Sequence, residues 1–275
     1  MKMIKKLKAL FGKLKNDSLS VTQNTPLASC TTYPNVELGD WYPPVILAVS
    51  QIGAMALSPF CLQKVFQIID RLEQDKYTFY VKSFCEAGRV RFKEEWRYAD
   101  ITTALFAAAH FVKPENYLEI GVRKGRSLAV VASSNPNCQI VALDIWPEVY
   151  ANMPNPGPEF VYKEIKKIGF SGKIEFVNGD SHLTLPSYFK EHPDAFFDLV
   201  TVDGDHSEEG ARQDLINVLP RIKVGGVLVF DDISHPLLPH LRRAWNEIVA
   251  TDFHFSTWEY SELGYGVAIA IRRSA

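Results

Sequence analysis

The stretch that begins at Asn116 alternates short apolar runs with helical segments, and this alternation constrains the fold more than any other feature of the sequence. The runs resemble buried strands, and the segments between them carry apolar residues at three- and four-residue spacing. Seven strands are predicted, over residues 117–120, 139–143, 173–177, 197–202, 227–230, 253–258 and 266–271. Strands that alternate with helices are joined by right-handed crossovers and pair in parallel. The sequence therefore predicts an α/β fold in which a mostly parallel seven-stranded sheet carries helices on both faces.

The first 110 residues lack this alternation and predict a separate helical region. Residues 1–15 contain repeated lysines and no acidic residue, and their apolar residues recur at helical spacing, which predicts a basic amphipathic helix. Such a helix suits either contact with a membrane surface or packing on its own protein. Residues 16–110 are predicted to form a linker and a helical cap, with helices over 45–57, 60–72 and 99–111. Residues 111–275 are predicted to form the ligand-binding domain.

Composition limits the partners and the compartment. The formal net charge is -2, so the chain has no positive excess with which to release phosphate counterions, and nucleic acid is not expected as a partner. The four cysteines, Cys30, Cys61, Cys85 and Cys138, are too widely spaced for a zinc site or a disulfide framework. We therefore expect a cytoplasmic location, with peripheral membrane contact if residues 1–15 bind a bilayer.

Glycines and acids follow the first three predicted strands and indicate a ligand site. Gly121 and Gly125 flank a loop that opens a helix, where free N–H groups can bind an anion. The loop has the spacing GxxxG rather than GxGxxG, which disfavours a dinucleotide and favours a ligand without a pyrophosphate. Asp144 ends the second strand, where a carboxylate can accept ribose hydroxyls, and Asp180 with Ser181 ends the third, where an adenine amino group would lie. Taken singly, Gly121 also suits an ordinary turn and Asp144 a loop cap.

The run from Tyr117 to Ser127 resembles the first motif of the class I S-adenosylmethionine (SAM) dependent methyltransferases, which have a Rossmann-like fold. The resemblance extends over residues 117–272. It is strongest to a branch that includes macrolide-sugar and natural-product O-methyltransferases and cephalosporin-hydroxylase-like proteins. It implies that four loop residues hold the methionine part of SAM: Glu119, Gly121, Gly125 and Ser127. It also implies that Asp144 binds the ribose and that Asp180 and Ser181 lie near the adenine.

Three more acids follow the fourth and fifth strands. If these strands are neighbours, their ends lie about 5 Å apart, and Asp203, Asp231 and Asp232 converge. Carboxylates share one site only with a cation or proton between them, and oxygen ligands suit Mg²⁺. The family that the sequence resembles includes metal-dependent O-methyltransferases with ligands at these two strand ends. The resemblance implies that Asp203 is the first ligand and that Asp231 and Asp232 are an adjacent pair of ligands. His206 corresponds to a general base.

Other roles for these residues stay open. Asp231 and Asp232 also suit a helix cap, and His206 suits the cap of the helix that begins near Ser207. Asp205 is a rival base or ligand. Residues 152–159, rich in proline, are predicted to form a lid loop.

Together these features predict a SAM-dependent O-methyltransferase. We expect it to methylate a hydroxyl of a small molecule or sugar with the help of Mg²⁺, using His206 and Asp203 as catalytic residues. Two alternatives remain: a non-catalytic SAM-binding module of a membrane-associated complex, and a cephalosporin-hydroxylase-like oxidase. The oxidase is disfavoured because the sequence shows no evident pattern of two histidines and one carboxylate for iron. A nucleic-acid methyltransferase is disfavoured because neither a basic face nor a base-flipping motif is evident.

Overall fold

The structure is a computed structural model and describes residues 45–274. The basic helix predicted for residues 1–15 and the first part of the linker, residues 16–44, lie outside the described residues. The membrane contact predicted for residues 1–15 stays a prediction. No single helix within residues 45–274 is long and apolar enough to span a membrane, and α1 and α2 (Val49–Ala56 and Pro59–Ile69) meet that criterion only as a pair bent by 66°.

Helices and strands alternate from β1 onward, as the sequence predicts. The further helices are α3 (Lys76–Phe92), α4 (Ile101–Val112), α5 (Arg126–Ser134), α6 (Pro158–Lys167), α7 (Ser181–Glu191), α8 (Glu208–Val218) and α9 (Pro239–Trp245). The strands are β1 (Asn116–Ile120), β2 (Gln139–Asp144), β3 (Val149–Tyr150), β4 (Met153–Pro154), β5 (Ile174–Asn178), β6 (Phe197–Val202), β7 (Ile222–Asp231), β8 (Phe255–Tyr260) and β9 (Val267–Arg272). Short 3₁₀ turns follow α3 and α8, and one π turn follows α9.

The main sheet has seven strands in the order β5-β2-β1-β6-β7-β9-β8. The first five strands pair in parallel, whereas β9 is antiparallel to both β7 and β8. The register aligns Ile120 with Leu143 on one side and with Val202 on the other. Val202 in turn pairs with Phe230. The carboxyl ends of β2, β1, β6 and β7 therefore meet at one edge, and the predicted mostly parallel seven-stranded sheet is confirmed.

Side chains that alternate along the strands build a core on each face of the sheet. Tyr117 and Ile140 belong to one core, together with buried residues of α1, α2 and α4. Leu118, Ile120 and Leu143 belong to the other, which is covered by α7, α8 and α9. The prediction of helices on both faces is thus confirmed.

Two elements do not follow from the sequence pattern. Helix α3 occupies most of the segment 77–97, to which the sequence assigned no element, because only Thr78 and Cys85 of this helix are buried and no apolar stripe marks it. The β3–β4 hairpin turns at Ala151 and Asn152, which both have left-handed backbones. The start of the predicted lid, residues 152–154, therefore belongs to this hairpin. Its strands have two residues each, which is too short for an alternating pattern to show in the sequence.

Candidate active site

The glycine loop between β1 and α5 brings three strand ends together. The N–H of Gly121 donates to the carbonyl oxygen of Leu143 at 2.9 Å, and the N–H of Asp203 donates to that of Ile120 at 2.9 Å. Gly121 has a φ of +91°, and a Cβ there would lie 1.8 Å from the carbonyl oxygen of Asp203. Gly125 has a φ of +72°, and its Cβ would lie 2.6 Å from Val161. Both positions therefore require glycine, and the loop lies directly against the backbone of Asp203.

Glu119 lies beneath this loop and is fully buried. It accepts hydrogen bonds from Ser127 Oγ at 2.6 Å and from the hydroxyl of Tyr117, which also lies 2.7 Å from Thr201 Oγ1. Burial raises the pKa of the Glu119 carboxyl to about 8. Glu119 therefore fixes Ser127 at the start of α5. Tyr117 and Thr201 extend the network, and neither shows a signal in the sequence beyond its place in a strand.

Asp144 is bonded to the same loop. Its Oδ2 accepts the N–H groups of Val122 at 2.9 Å and Arg123 at 2.7 Å, and its Oδ1 accepts that of Trp146 at 2.6 Å. The carboxylate predicted to bind a ribose is thus held at the end of β2 by three backbone donors. The indole N–H of Trp146 donates to Asn178 Oδ1 at 2.7 Å and so joins the end of β2 to that of β5.

The residues predicted to lie near an adenine have separate environments. Asp180 is the N-cap of α7 and accepts the N–H of His182 at 2.9 Å. Ser181 turns inward and donates to Asp214 Oδ1 at 2.7 Å. Asp214 is fully buried, and burial raises its pKa to about 6. Sequence reasoning missed Asp214, whose only signal is an acid on the buried side of α8.

Asp203, His206 and Asp232 converge at the ends of β6 and β7. Potential ligand atoms of the three side chains all lie within 4.8 Å of one another. His206 Nε2 lies 3.2 Å from Asp203 Oδ1, and His206 Nδ1 lies 3.8 Å from Asp232 Oδ2. Asp232 has a left-handed backbone with a φ of +61°, which turns it away from the direction of the strand. Asp231 is not a member of this three-residue group.

The electrostatics of the group reflect its excess of carboxylates. Burial, together with the charge of Asp203, raises the pKa of Asp232 to about 7. Burial and the charges of Asp232 and Asp203 hold the pKa of Asp231 far above its usual range. The hydrogen bond with Asp203 raises the pKa of His206 despite the opposing effect of burial. Carboxylates this close to one another are stabilised by a proton or another cation between them.

The capping roles considered for these residues belong to their neighbours. Ser207 is the N-cap of α8 and accepts the N–H of Gly210 at 3.0 Å. Leu238, rather than either aspartate, precedes the first turn of α9. Asp205 accepts the N–H of Ser207 at 2.8 Å and lies outside the three-residue group.

Asp75, the N-cap of α3, fastens the helical cap to the glycine loop. Its Oδ2 lies 2.5 Å from Arg126 Nη2 and 3.5 Å from Lys124 Nζ, and its Oδ1 accepts the N–H of Thr78 at 2.8 Å. Burial alone would raise the pKa of Asp75, but the hydrogen bond from Thr78 and the charge of Arg126 outweigh it and lower the pKa to about 2.

We expect Asp75→Asn to lower the free energy of unfolding by about 2 kcal/mol, because Arg126 loses its buried partner while asparagine keeps the cap of α3. Asp75 has a lowered pKa, so its contribution is complete above pH 4 and is lost as the pH falls towards 2. Urea titrations at pH 7 and at acidic pH measure both effects. Asp70→Asn is the control. Asp70 forms an ion pair with Lys82 but its side chain is 49% exposed, and such surface pairs contribute less than about 1 kcal/mol to stability. Equal effects of the two substitutions would contradict the prediction.

The sheet order, the glycine loop and the acids at the strand ends define the fold of a class I SAM-dependent methyltransferase. Residues 118–233 match the family model of the methyltransferase domain. Over 123 residues the chain is 31% identical to a caffeoyl-CoA O-methyltransferase from Stellaria longipes, a match that covers 44% of this chain and 47% of that enzyme. The match therefore spans about half the length of this curated relative.

Solved structures show the same fold. The O-methyltransferase TomG from Streptomyces achromogenes, solved with SAM, is 19% identical with a TM-score of 0.52, and the match covers 74% of this chain and 92% of TomG. CalS11, a TDP-rhamnose 3'-O-methyltransferase, is 20% identical with a TM-score of 0.50, and the match covers 78% of this chain and 93% of CalS11. The resemblance to the class I SAM-dependent methyltransferases is confirmed, and the match to the methyltransferase domain model extends over residues 118–233.

Proposed function

We propose that the protein transfers the methyl group of SAM to a hydroxyl of a small molecule or sugar, assisted by a divalent cation such as Mg²⁺. The observation that carries the proposal is the convergence of Asp203, His206 and Asp232 immediately beside the glycine loop. The caffeoyl-CoA and TDP-rhamnose enzymes are named for methyl transfer to oxygen, which supports the same chemistry here.

The glycine loop and the ends of β2 and β5 form the proposed SAM side of the site. Gly121 and Gly125 let the backbone approach the methionine part, and Ser127, fixed by Glu119, presents a hydroxyl at the start of α5. Asp144 is the proposed ribose acid. Asp180 and Ser181 are the proposed adenine-side residues. Because Ser181 donates its proton to Asp214, its hydroxyl is available to a ligand only as an acceptor.

The three-residue group forms the proposed acceptor side. Two carboxylates and an imidazole suit Mn²⁺ at least as well as Mg²⁺, since imidazole is a softer ligand than a third carboxylate. A cation held by these residues would lower the pKa of an acceptor hydroxyl and orient it. Asp231, the neighbouring residue, lies outside the three-residue group, and burial together with the charges of Asp232 and Asp203 raises its pKa and favours its neutral form.

His206 has two candidate roles. Both ring nitrogens face carboxylates of the group, which favours His206 as a ligand or as a positioning residue. The base role that the family resemblance implies requires one nitrogen to turn towards an acceptor. It stays a prediction, and His206→Gln separates the base role from the others: loss of cation affinity indicates a ligand or positioning role, whereas loss of methyl transfer with normal cation affinity indicates a base.

The proposed SAM side predicts that Asp144→Asn weakens SAM binding by about tenfold or more, because a carboxylate accepts ribose hydroxyls that an amide nitrogen cannot. Calorimetric titration of SAM into the purified protein measures the effect. Asp198→Asn is a matched control. Asp198 also accepts hydrogen bonds from two backbone N–H groups, those of Glu115 and Asn116, but it lies at the amino ends of the parallel strands, away from the proposed site. The proposal fails if the wild-type protein binds no SAM. The role of Asp144 fails if both variants bind it equally.

A further inference from the structure

Arg123, in the middle of the glycine loop, has no acidic partner among residues 45–274. Lys124 and Arg126 share Asp75, whereas among the described residues the only hydrogen bond of the Arg123 side chain runs from Nη2 to the sulfur of Met153 at 3.5 Å. The Nε of Arg123 is buried and has no hydrogen-bond partner within residues 45–274. A guanidinium keeps its charge at all physiological pH values and presents five donors. The structure therefore leaves most of the donor capacity of Arg123 unused.

Two tyrosines hold this guanidinium in place. Arg123 Cζ lies 5.6 Å from the ring centroid of Tyr77 on α3 and 5.2 Å from that of Tyr150 on β3. The backbone is also fixed, since the N–H of Arg123 donates to Asp144 and its φ is +50°. Arg123 is only half-buried, and Tyr77 and Tyr150 are 44% and 41% exposed. A ligand can thus reach a positive group that is already positioned.

The two tyrosines, Tyr77 and Tyr150, also lie within electrostatic range of the acids at the ends of β6 and β7. Desolvation holds the pKa of both phenols above its ordinary value, and the charge of Asp203 adds to the increase. Both hydroxyls therefore remain neutral donors. Because uncompensated carboxylates repel an anionic ligand, a positive group such as Arg123 favours the binding of a negatively charged molecule beside them.

We propose that Arg123, with Tyr77 and Tyr150, binds an oxyanion, a phosphate or carboxylate group, of the molecule that accepts the methyl group. This inference rests on the proposed function and adds to it the class of acceptor. The planar fork of arginine matches two oxygens of such a group, and the hydrogen bonds are strong because both partners are charged. Tyr77 and Tyr150 belong to the cap and the hairpin, not to the loop predicted to hold SAM, which favours the acceptor over the methionine carboxylate of SAM as the source of the oxyanion.

The test is a calorimetric titration of inorganic phosphate and pyrophosphate into the full-length protein saturated with S-adenosylhomocysteine, at constant ionic strength. Arg123→Gln removes the proposed ligand. Lys124→Gln removes one positive charge from the adjacent position and is the matched control, because Lys124 lies near Asp75 and Glu73. The affinity of each variant for S-adenosylhomocysteine is measured in the same buffer.

We expect the wild-type protein to bind at least one of the two anions. Arg123→Gln should weaken this binding by about tenfold or more, and Lys124→Gln by less than about threefold. The affinity for S-adenosylhomocysteine should be unchanged. Absence of anion binding to the wild-type protein, or equal binding by Arg123→Gln, overturns the inference. Competition between phosphate and S-adenosylhomocysteine, with weaker binding of the latter by Arg123→Gln, also overturns it, because the oxyanion then belongs to the methyl donor.

The failure of the proposed function gives a different result. If the wild-type protein does not bind S-adenosylhomocysteine, methyl transfer is excluded. Titration of phosphate and pyrophosphate into the protein without S-adenosylhomocysteine then tests whether Arg123 binds an anion independently of the proposed function.

Discussion

Replacing Asp203 with asparagine is expected to weaken Mn²⁺ binding by about 100-fold and methyl transfer by about 10³-fold, while SAM binding is retained. The reason is the position of Asp203 in the three-residue group, where one oxygen lies 3.2 Å from His206. An amide oxygen has the same shape but no charge, so the site loses half of the carboxylate charge that Asp203 and Asp232 contribute. The loop is spared, because Gly121 contacts the backbone of Asp203 rather than its side chain.

The electron paramagnetic resonance signal of free Mn²⁺ measures the affinity without knowledge of the acceptor. Asp232→Asn should behave like Asp203→Asn. Asp205→Asn is the control, since Asp205 is a neighbouring acid outside the group. A loss of affinity in Asp231→Asn as large as in Asp203→Asn would restore the ligand set of three aspartates that the sequence predicts. Unchanged Mn²⁺ binding by Asp203→Asn would refute the cation site.

Gly121→Ala is expected to lower the free energy of unfolding by about 3 kcal/mol, and the midpoint of thermal unfolding by roughly 6–12 °C. It should also remove measurable SAM binding. Two costs combine. A residue with a Cβ is strained at a φ of +91°, and this Cβ would lie 1.8 Å from the carbonyl oxygen of Asp203, which belongs to the backbone and cannot rotate away. Either the glycine loop or the end of β6 must move.

Gly169→Ala separates the two costs. Gly169 has a φ of +97°, close to that of Gly121, but a Cβ there would meet no atom within 4 Å. This control carries the backbone strain alone, so we expect a loss of about 1–2 kcal/mol and normal SAM binding. Chemical denaturation and calorimetry of the two variants provide the comparison. If Gly121→Ala costs no more than Gly169→Ala, the contact with Asp203 has no energetic importance.

The parallel part of the sheet could be predicted from the sequence because each of its five strands is a short run that ends at, or is followed directly by, a glycine or an acid. The register then follows from parallel pairing, and it aligns the ends of β1, β2, β6 and β7. Helix α3 could not be predicted, because most of its surface is exposed and its sequence has no apolar period. Helix propensity alone is a weak signal without a buried stripe.

The composition of the acid group could be predicted only in part. Asp203 and Asp232 lie in the group as the sequence predicts, but His206 is its third member in the structure, whereas the sequence indicates Asp231. β7 ends at Asp231, so the side chain of Asp232 does not follow the alternation of the strand, and the sequence pattern cannot tell which of the two neighbouring acids faces the site. The left-handed backbone of Asp232 decides the matter, and only the three-dimensional structure shows it.

The contact between Gly121 and the carbonyl oxygen of Asp203 also bears on how such proteins diversify. Because Gly121 lies against a main-chain atom of Asp203, the spacing between the glycine loop and the end of β6 at this point does not depend on the side chain of Asp203. Tyr77 and Tyr150 lie on α3 and on the β3–β4 hairpin, elements outside the main sheet. Under the proposed function, substitutions in α3 and the hairpin would change acceptor preference, by selection or in the laboratory, without altering the spacing between the glycine loop and the end of β6.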